Sequence, residues 1–192
     1  MNYLAHAYLS FDDPEILVGN MISDFVKGSN KFSYPTGIQN GIRLHRSIDA
    51  FTDHHPVSRE LALLFHPHYG RYAGPIMDVV YDHFLANYTP VFPGDDILMR
   101  FSQDTYGKLD AYTHLFPERF ARMFPYMRSQ NWLYHYRNPE GLRSSLGGLQ
   151  RRARYITETD TAYRIVMENQ ASLEAGFTAF FPNVLAMVRN HA

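Results

Sequence analysis

Apolar residues recur at helical spacing along almost the whole 192-residue chain. β-Branched residues seldom alternate with polar ones over a strand's length, and no Asn-Gly or Asp-Gly turn separates two apolar runs. Asn40-Gly41 occurs, but the helical period continues across it. Helix punctuation is frequent. Asp13-Pro14 reads as an N-cap followed by proline at the first helical position, and Tyr34-Pro35, His55-Pro56 and Gly74-Pro75 mark further helix starts. Together these signals predict helices over roughly 2–10, 14–27, 35–54, 56–66, 75–89, 95–112, 117–136, 139–154, 159–175 and 177–190. TPVFPGDD, residues 89–96, is the clearest loop and is too short to link two domains. With no repeat and no low-complexity segment, the expectation is an all-α fold: one compact multi-helix domain over residues 1–192.

Some of these helices are apolar almost all round, which places them in the interior. In PIMDVVYDHFLANY, Ile76, Met77, Val79, Val80, Tyr81, Phe84 and Leu85 cover nearly every direction, yet Asp78 and Asp82 share one stripe four residues apart, with His83 next. A buried carboxylate without a partner is costly, and two side by side are worse. EILVGNMISDFV repeats the pattern with Asn20 and Asp24, and MNYLAHAYL with Asn2 and His6. GIRLHRSIDAFTDHHP is the fourth case: Leu44, Ile48 and Phe51 are expected to mark its core stripe, with His45 and Asp49 beside it. If the four helices bundle, His6, His45, His83, Asp24, Asp49, Asp78 and Asp82 can meet around a cation. Imidazole and carboxylate without thiolate suit Mn²⁺, Fe²⁺ or Zn²⁺, with some residues as ligands and others orienting them. Taken singly, each residue also has a bland role: a hydrogen-bonded core histidine, an aspartate paired with Arg43 or Arg46, an asparagine capping backbone. His54, His55, His66 and His68 lie near proline and glycine and read as surface residues, with His54 or His55 at most on a site's rim.

Composition narrows the picture. Charged residues are 19% and hydrophobic residues 45% of the chain, as in a globular protein, and a formal net charge of -1 gives no global field for nucleic acid or membrane. The charge is uneven, however: residues 119–154 hold eight arginines and one acid, Glu140, a pattern suited to an acidic partner. There are no cysteines, so disulfides, thiolate metal sites and a cysteine nucleophile are excluded. MNYLAHAYLSFDDPE lacks a basic segment before its apolar residues, which argues against a signal peptide, and no uninterrupted apolar run is long enough for a bilayer; a cytoplasmic location is expected. G-x-S-x-G, Walker A, G-x-G-x-x-G and H-E-x-x-H motifs are absent.

MNYLAHAYLS, GNMISDFVKG, GIRLHRSIDAFTDHHP, AGPIMDVVYDHFL and WLYHYR, in this order, resemble the acyl carrier protein phosphodiesterases, helical relatives of the HD-domain phosphohydrolases. The blocks are dense from Met1 to about Asn87 and return at Trp132–Arg137. The resemblance implies an HD-like helical bundle and hydrolysis of the phosphodiester joining 4′-phosphopantetheine to a serine of holo-acyl carrier protein. It implies a divalent metal, Mn²⁺ first, with Fe²⁺, Zn²⁺ or Mg²⁺ as alternatives. The adjacent His-Asp dyad of HD proteins is absent: Asp82-His83 has the reverse order and His45 is followed by Arg46. The resemblance carries over Asp24, His45, Asp82 and His83 as metal candidates, with His6 and Asp49 next. Arg46 would clamp a phosphate oxygen or pair with Asp49 or Asp53. Asp49 or Asp78 would take a proton. The acidic carrier protein would dock on the arginine-rich stretch, densest at Arg151, Arg152 and Arg154, and Trp132 and Tyr136 would line a channel for the pantetheine arm or be core. Two other readings stay open: a phosphohydrolase acting on a nucleotide or other small phosphoester, and a non-enzymatic helical binding protein.

Overall fold

Proline and aspartate start the helices as the sequence indicates. Asp13 accepts a hydrogen bond from the Ile16 amide at 2.9 Å, so α2 (Pro14–Ile22) begins at a capped proline. Its last turn tightens into a 3-10 turn at Ser23–Phe25. The computed structural model describes residues 1–190, and among them all regular structure is helical. Around α2 the chain runs α1 (Tyr3–Tyr8), α3 (Thr36–His54), α4 (Pro56–Ala62), α5 (His66–Tyr69), α6 (Ala73–Ala86) and α7 (Asp95–Asp110). It continues through α8 (Glu118–Ser129), α9 (Trp132–His135), α10 (Pro139–Arg152), α11 (Asp160–Glu168) and α12 (Gln170–Arg189).

Three expected helices divide differently. The stretch 117–136 breaks at Asn131, whose left-handed φ of 44° asparagine tolerates better than most residues. The stretch 56–66 ends at Ala62, where three successive i→i+3 bonds lead into α5. The last break falls at Asn169, whose side chain caps the Ile165 carbonyl, and not at Gly176. Gly176 stays inside α12, where its missing side chain leaves room for Leu61, whose Cδ1 lies 2.5 Å from where a Cβ would be. By length and composition α12 could cross a membrane; here its Leu173, Phe177, Phe180, Phe181 and Val184 are buried in the core. The aromatic centre is built from α6 and α12, with Tyr81 stacked on Phe180 at 4.8 Å and its hydroxyl hydrogen-bonded to Ser58 at 2.9 Å.

The closest helix pair, α2 and α3, touches through glycine. A Cβ on Gly19 would sit 2.1 Å from the Ile38 carbonyl oxygen and 2.8 Å from the Gly41 Cα, so only glycine permits this approach. The contact sets Asn20 of α2 directly against His45 of α3. The buried stripe of α3 is Ile38, Gly41, Ile42, His45, Ile48 and Thr52, whereas Leu44 and Phe51 are only half-buried. His45 is therefore part of the core face itself. On the other side, α6 presents Asp82 to the start of α1. Its carboxylate accepts the backbone amides of Asn2, Leu4 and Ala5 at 3.1, 2.7 and 3.2 Å, supplying from another helix the cap that Asn2 does not provide.

Candidate metal centre and adjoining cavities

His6 of α1 and His45 of α3 lie in parallel, with ring centroids 3.9 Å apart and 16° between planes. Asn20 fixes both. Its side-chain oxygen accepts from His6 Nδ1 and its backbone carbonyl from His45 Nδ1, each at 2.8 Å. The Asn20 amide donates in turn to the His6 carbonyl and to Ser10 Oγ. Because amide oxygens only accept, each imidazole carries its proton on Nδ1 and turns Nε2 into the site. His6 Nε2 is 3.2 Å from Asp49 Oδ1; His45 Nε2 is 3.0 Å from Asp49 Oδ2 and 3.3 Å from Asp24 Oδ1.

Two bare nitrogens facing carboxylate oxygens repel unless a proton or a metal cation lies between them. Asp49 Oδ1 is buried and accepts no hydrogen bond of good geometry. Ligand atoms of His6, His45 and Asp49 all fall within 4.8 Å of one another. Two imidazoles and a carboxylate, their second nitrogens tied down by Asn20, match the donor set and orienting bonds of a divalent metal site. Without an ion, protons take up the strain. Burial, and then the neighbouring His45, push His6 down to about 4. His45 would also be lowered by burial, but the hydrogen bonds its protonated ring donates to Asp24 and Asp49 outweigh this and raise it to about 9. Burial works against ionised Asp49, yet the two histidines hold its carboxyl well below the usual range. Asp24, at the mouth, is lowered chiefly by the His45 hydrogen bond.

The remaining sequence candidates take other places. Asp78 lines the same cavity and pairs with the Met1 amine at 2.5 Å; burial raises it to about 6 against the pull of that amine. The structure does not bring Asp82 or His83 into the group. Asp82 has both oxygens committed to capping α1, and burial pushes it up to about 7 despite the Met1 amine and those amides. His83 faces away and donates Nδ1 to the Tyr136 carbonyl at 2.7 Å, pinning α6 to the segment after α9. Arg46 donates to the Val26 carbonyl at 3.2 Å, beyond the 3-10 turn that carries Asp24.

The cluster lies in a cavity of 370 Å³ also bordered by Tyr3, Tyr72 and Arg152. A second cavity of 730 Å³ adjoins it, lined by Trp132, Tyr136, Arg151 and Arg152. Tyr136 is nearly fully buried, and Trp132 Nε1 donates to Gln130 at 2.9 Å. Of the eight arginines in the basic stretch, Arg122, Arg128, Arg137 and Arg143 pair with Glu118, Asp110, Asp95 and Asp160. Arg119, Arg151, Arg152 and Arg154 make no ion pair among the described residues; Arg154 lies over the exposed Tyr155 ring. Tyr3 went unnoticed in the sequence as a site residue. The signal was its place three residues before His6, on the same face of α1.

A family profile described as acyl carrier protein phosphodiesterase matches residues 1–184. Among similar curated proteins, the acyl carrier protein phosphodiesterase of Salmonella paratyphi A is 33% identical over 193 residues, covering 100% of both chains. That of Escherichia coli O157:H7 is 33% identical over 195 residues with the same coverage. That of Photorhabdus laumondii is 29% identical over 191 residues, covering 99% of this chain and 96% of its own. No solved structure matches the chain.

Proposed function

The chain belongs to the acyl carrier protein phosphodiesterase family, and from that membership we propose that it hydrolyses holo-acyl carrier protein, releasing 4′-phosphopantetheine and apo-carrier protein. The observation that carries the chemistry is the convergence of His6 and His45 Nε2 on Asp49, with both Nδ1 atoms held by Asn20. His6, His45 and Asp49 would hold a divalent metal, Mn²⁺ in this reading, and Asp24 at the mouth would complete the set. Bound there, the ion supplies Lewis acidity toward the phosphodiester and acidifies water near neutral pH.

The chain's own groups do the rest. Asp78 borders the same cavity, and its carboxyl, raised to about 6 by burial, suits a proton acceptor working near neutral pH. In the proposed reaction water adds to phosphorus and gives up a proton to Asp78. The bond from phosphorus to the serine oxygen breaks, and that oxygen takes up the proton that Asp78 accepted, which returns Asp78 to its starting state. Asp82 and His83 support the site by fixing α1 and the α9 segment. The kinship with HD phosphohydrolases thus lies, in this reading, in the helical setting and the His/Asp donors, not in an adjacent dyad.

The acidic carrier protein would approach the arginines left without carboxylate partners, above all Arg151 and Arg154 at the end of α10. Such a substrate would place the reaction in the cytoplasm. Incubating the purified protein with Mn²⁺ and holo-carrier protein and weighing the carrier tests the reading. Conversion to the apo mass is expected; an unchanged carrier, with metal bound and the fold intact, refutes it.

A further inference from the structure

The two cavities meet at Asn2, Tyr3 and Arg152, the residues that border both. Arg152 reaches this junction from the last turn of α10, with Nε 3.3 Å from the Gly148 carbonyl and Nη1 3.5 Å from the Tyr3 hydroxyl. It makes no ion pair among the described residues, whereas Arg143 on the same helix is matched by Asp160. An arginine with no counter-ion, set between an imidazole–carboxylate group and a second cavity, is a place for an anionic oxygen. The larger cavity is lined by Ser144, Ser145 and Gly148 of α10 and by Trp132 and Tyr136 at α9. Hydroxyls and amides beside aromatic faces suit a narrow ligand that carries both peptide-like groups and apolar carbons.

We propose that the larger cavity receives a linear, amide-bearing arm and that Arg152 holds the phosphate at its end beside the metal group. This rests on the carrier-protein reading above. It moves Arg152 from an outer docking surface to the reacting phosphate; Arg151 borders the larger cavity beside it, and Arg154 borders neither cavity.

The test is calorimetric binding of two probes, 4′-phosphopantetheine and unphosphorylated pantetheine, to the full chain and its variants. Arg152→Gln should weaken the phosphorylated probe by tenfold or more, about the loss of a charge-assisted hydrogen bond, and leave pantetheine within about twofold. Gly148→Leu should weaken both probes by about tenfold or more by filling the cavity; a Cβ there meets only the Arg151 guanidinium, at 3.6 Å. Ser144→Leu, in the same cavity lining on α10, serves if Gly148→Leu does not fold. No binding of either probe to the wild type, or equal binding by wild type and variants, overturns the assignment. Carrier-protein hydrolysis is measured alongside. Hydrolysis with binding indifferent to these substitutions sinks the cavity assignment alone. Probe binding that responds as described, in a protein that leaves holo-carrier intact, supports the cavity and counts against the proposed function.

Discussion

His6 and His45 stack with ring centroids 3.9 Å apart and point the same nitrogen at the same carboxylate, because one residue, Asn20, grips the far nitrogen of each. Aromatic pairs gain little from such a parallel arrangement when both rings are polar and buried. The pair is held by hydrogen bonds and makes chemical sense with a cation in front of it.

Asn20 is fully buried and every one of its polar groups is used. Asn20→Leu should strand His6 Nδ1 and Ser10 and cost about 2–4 kcal/mol of stability. It should also loosen metal affinity by about 10–100-fold, as for other residues that orient ligating histidines. Urea unfolding with and without Mn²⁺ measures both effects.

Asp82 separates capping from ligation. Asp82→Asn should lower stability by roughly 1–3 kcal/mol, since an amide cannot accept all three backbone N–H groups. The metal-to-protein ratio should stay at the wild-type value. Metal analysis beside thermal unfolding checks this; loss of the ion in a folded variant would place Asp82 among the ligands after all.

In the metal-free protein His45 is raised from 6.5 to about 9. A raised folded value contributes stability that is complete below the unfolded value and disappears as pH climbs through the folded one. Metal-free stability should therefore fall between pH 6.5 and 9, by on the order of 2–3 kcal/mol, and His45→Ala should flatten that decline. His6 runs the other way: it is lowered to about 4, so its contribution is present above 6.5 and lost as pH falls through 4. Mn²⁺ competes with the His45 proton, so its affinity should rise by up to about tenfold per pH unit across the same window. Titrations at several pH values read this slope.

Gly19→Ala should destabilise by about 3 kcal/mol or more, because its Cβ would overlap backbone of α3 and not a yielding side chain. Since α2 must then back away from α3, the Asn20–His45 bond should lengthen and metal binding should weaken with stability. The histidine chemical shifts report the first effect and calorimetry the second.

The sequence made the helices legible because their period and proline starts are local properties. Breaks set by a single backbone conformation, as at Asn131, or by tertiary packing around Gly176, were not local and were misplaced. For the candidate site, spacing showed that four helices carry polar groups into an apolar interior, and the structure brings His6, Asp24, His45 and Asp49 together. It could not show which carboxylate lines the cavity and which caps a helix terminus. Asp78 and Asp82 share one stripe of α6, yet three backbone amides claim one and the cavity keeps the other. Arg152 was legible as a charge in a basic run, but its turn toward the site depends on where α10 ends against Tyr3.

The most direct test is to titrate Mn²⁺ into metal-stripped protein and follow bound ion and apo-carrier formation in the same samples. We expect about one ion per chain, as one donor group implies, with hydrolysis rising in step and both lost in a folded His6→Ala/His45→Ala double variant. Hydrolysis that persists in that variant, or that proceeds without bound metal, would contradict the assignment of His6, His45 and Asp49 as the centre of the site.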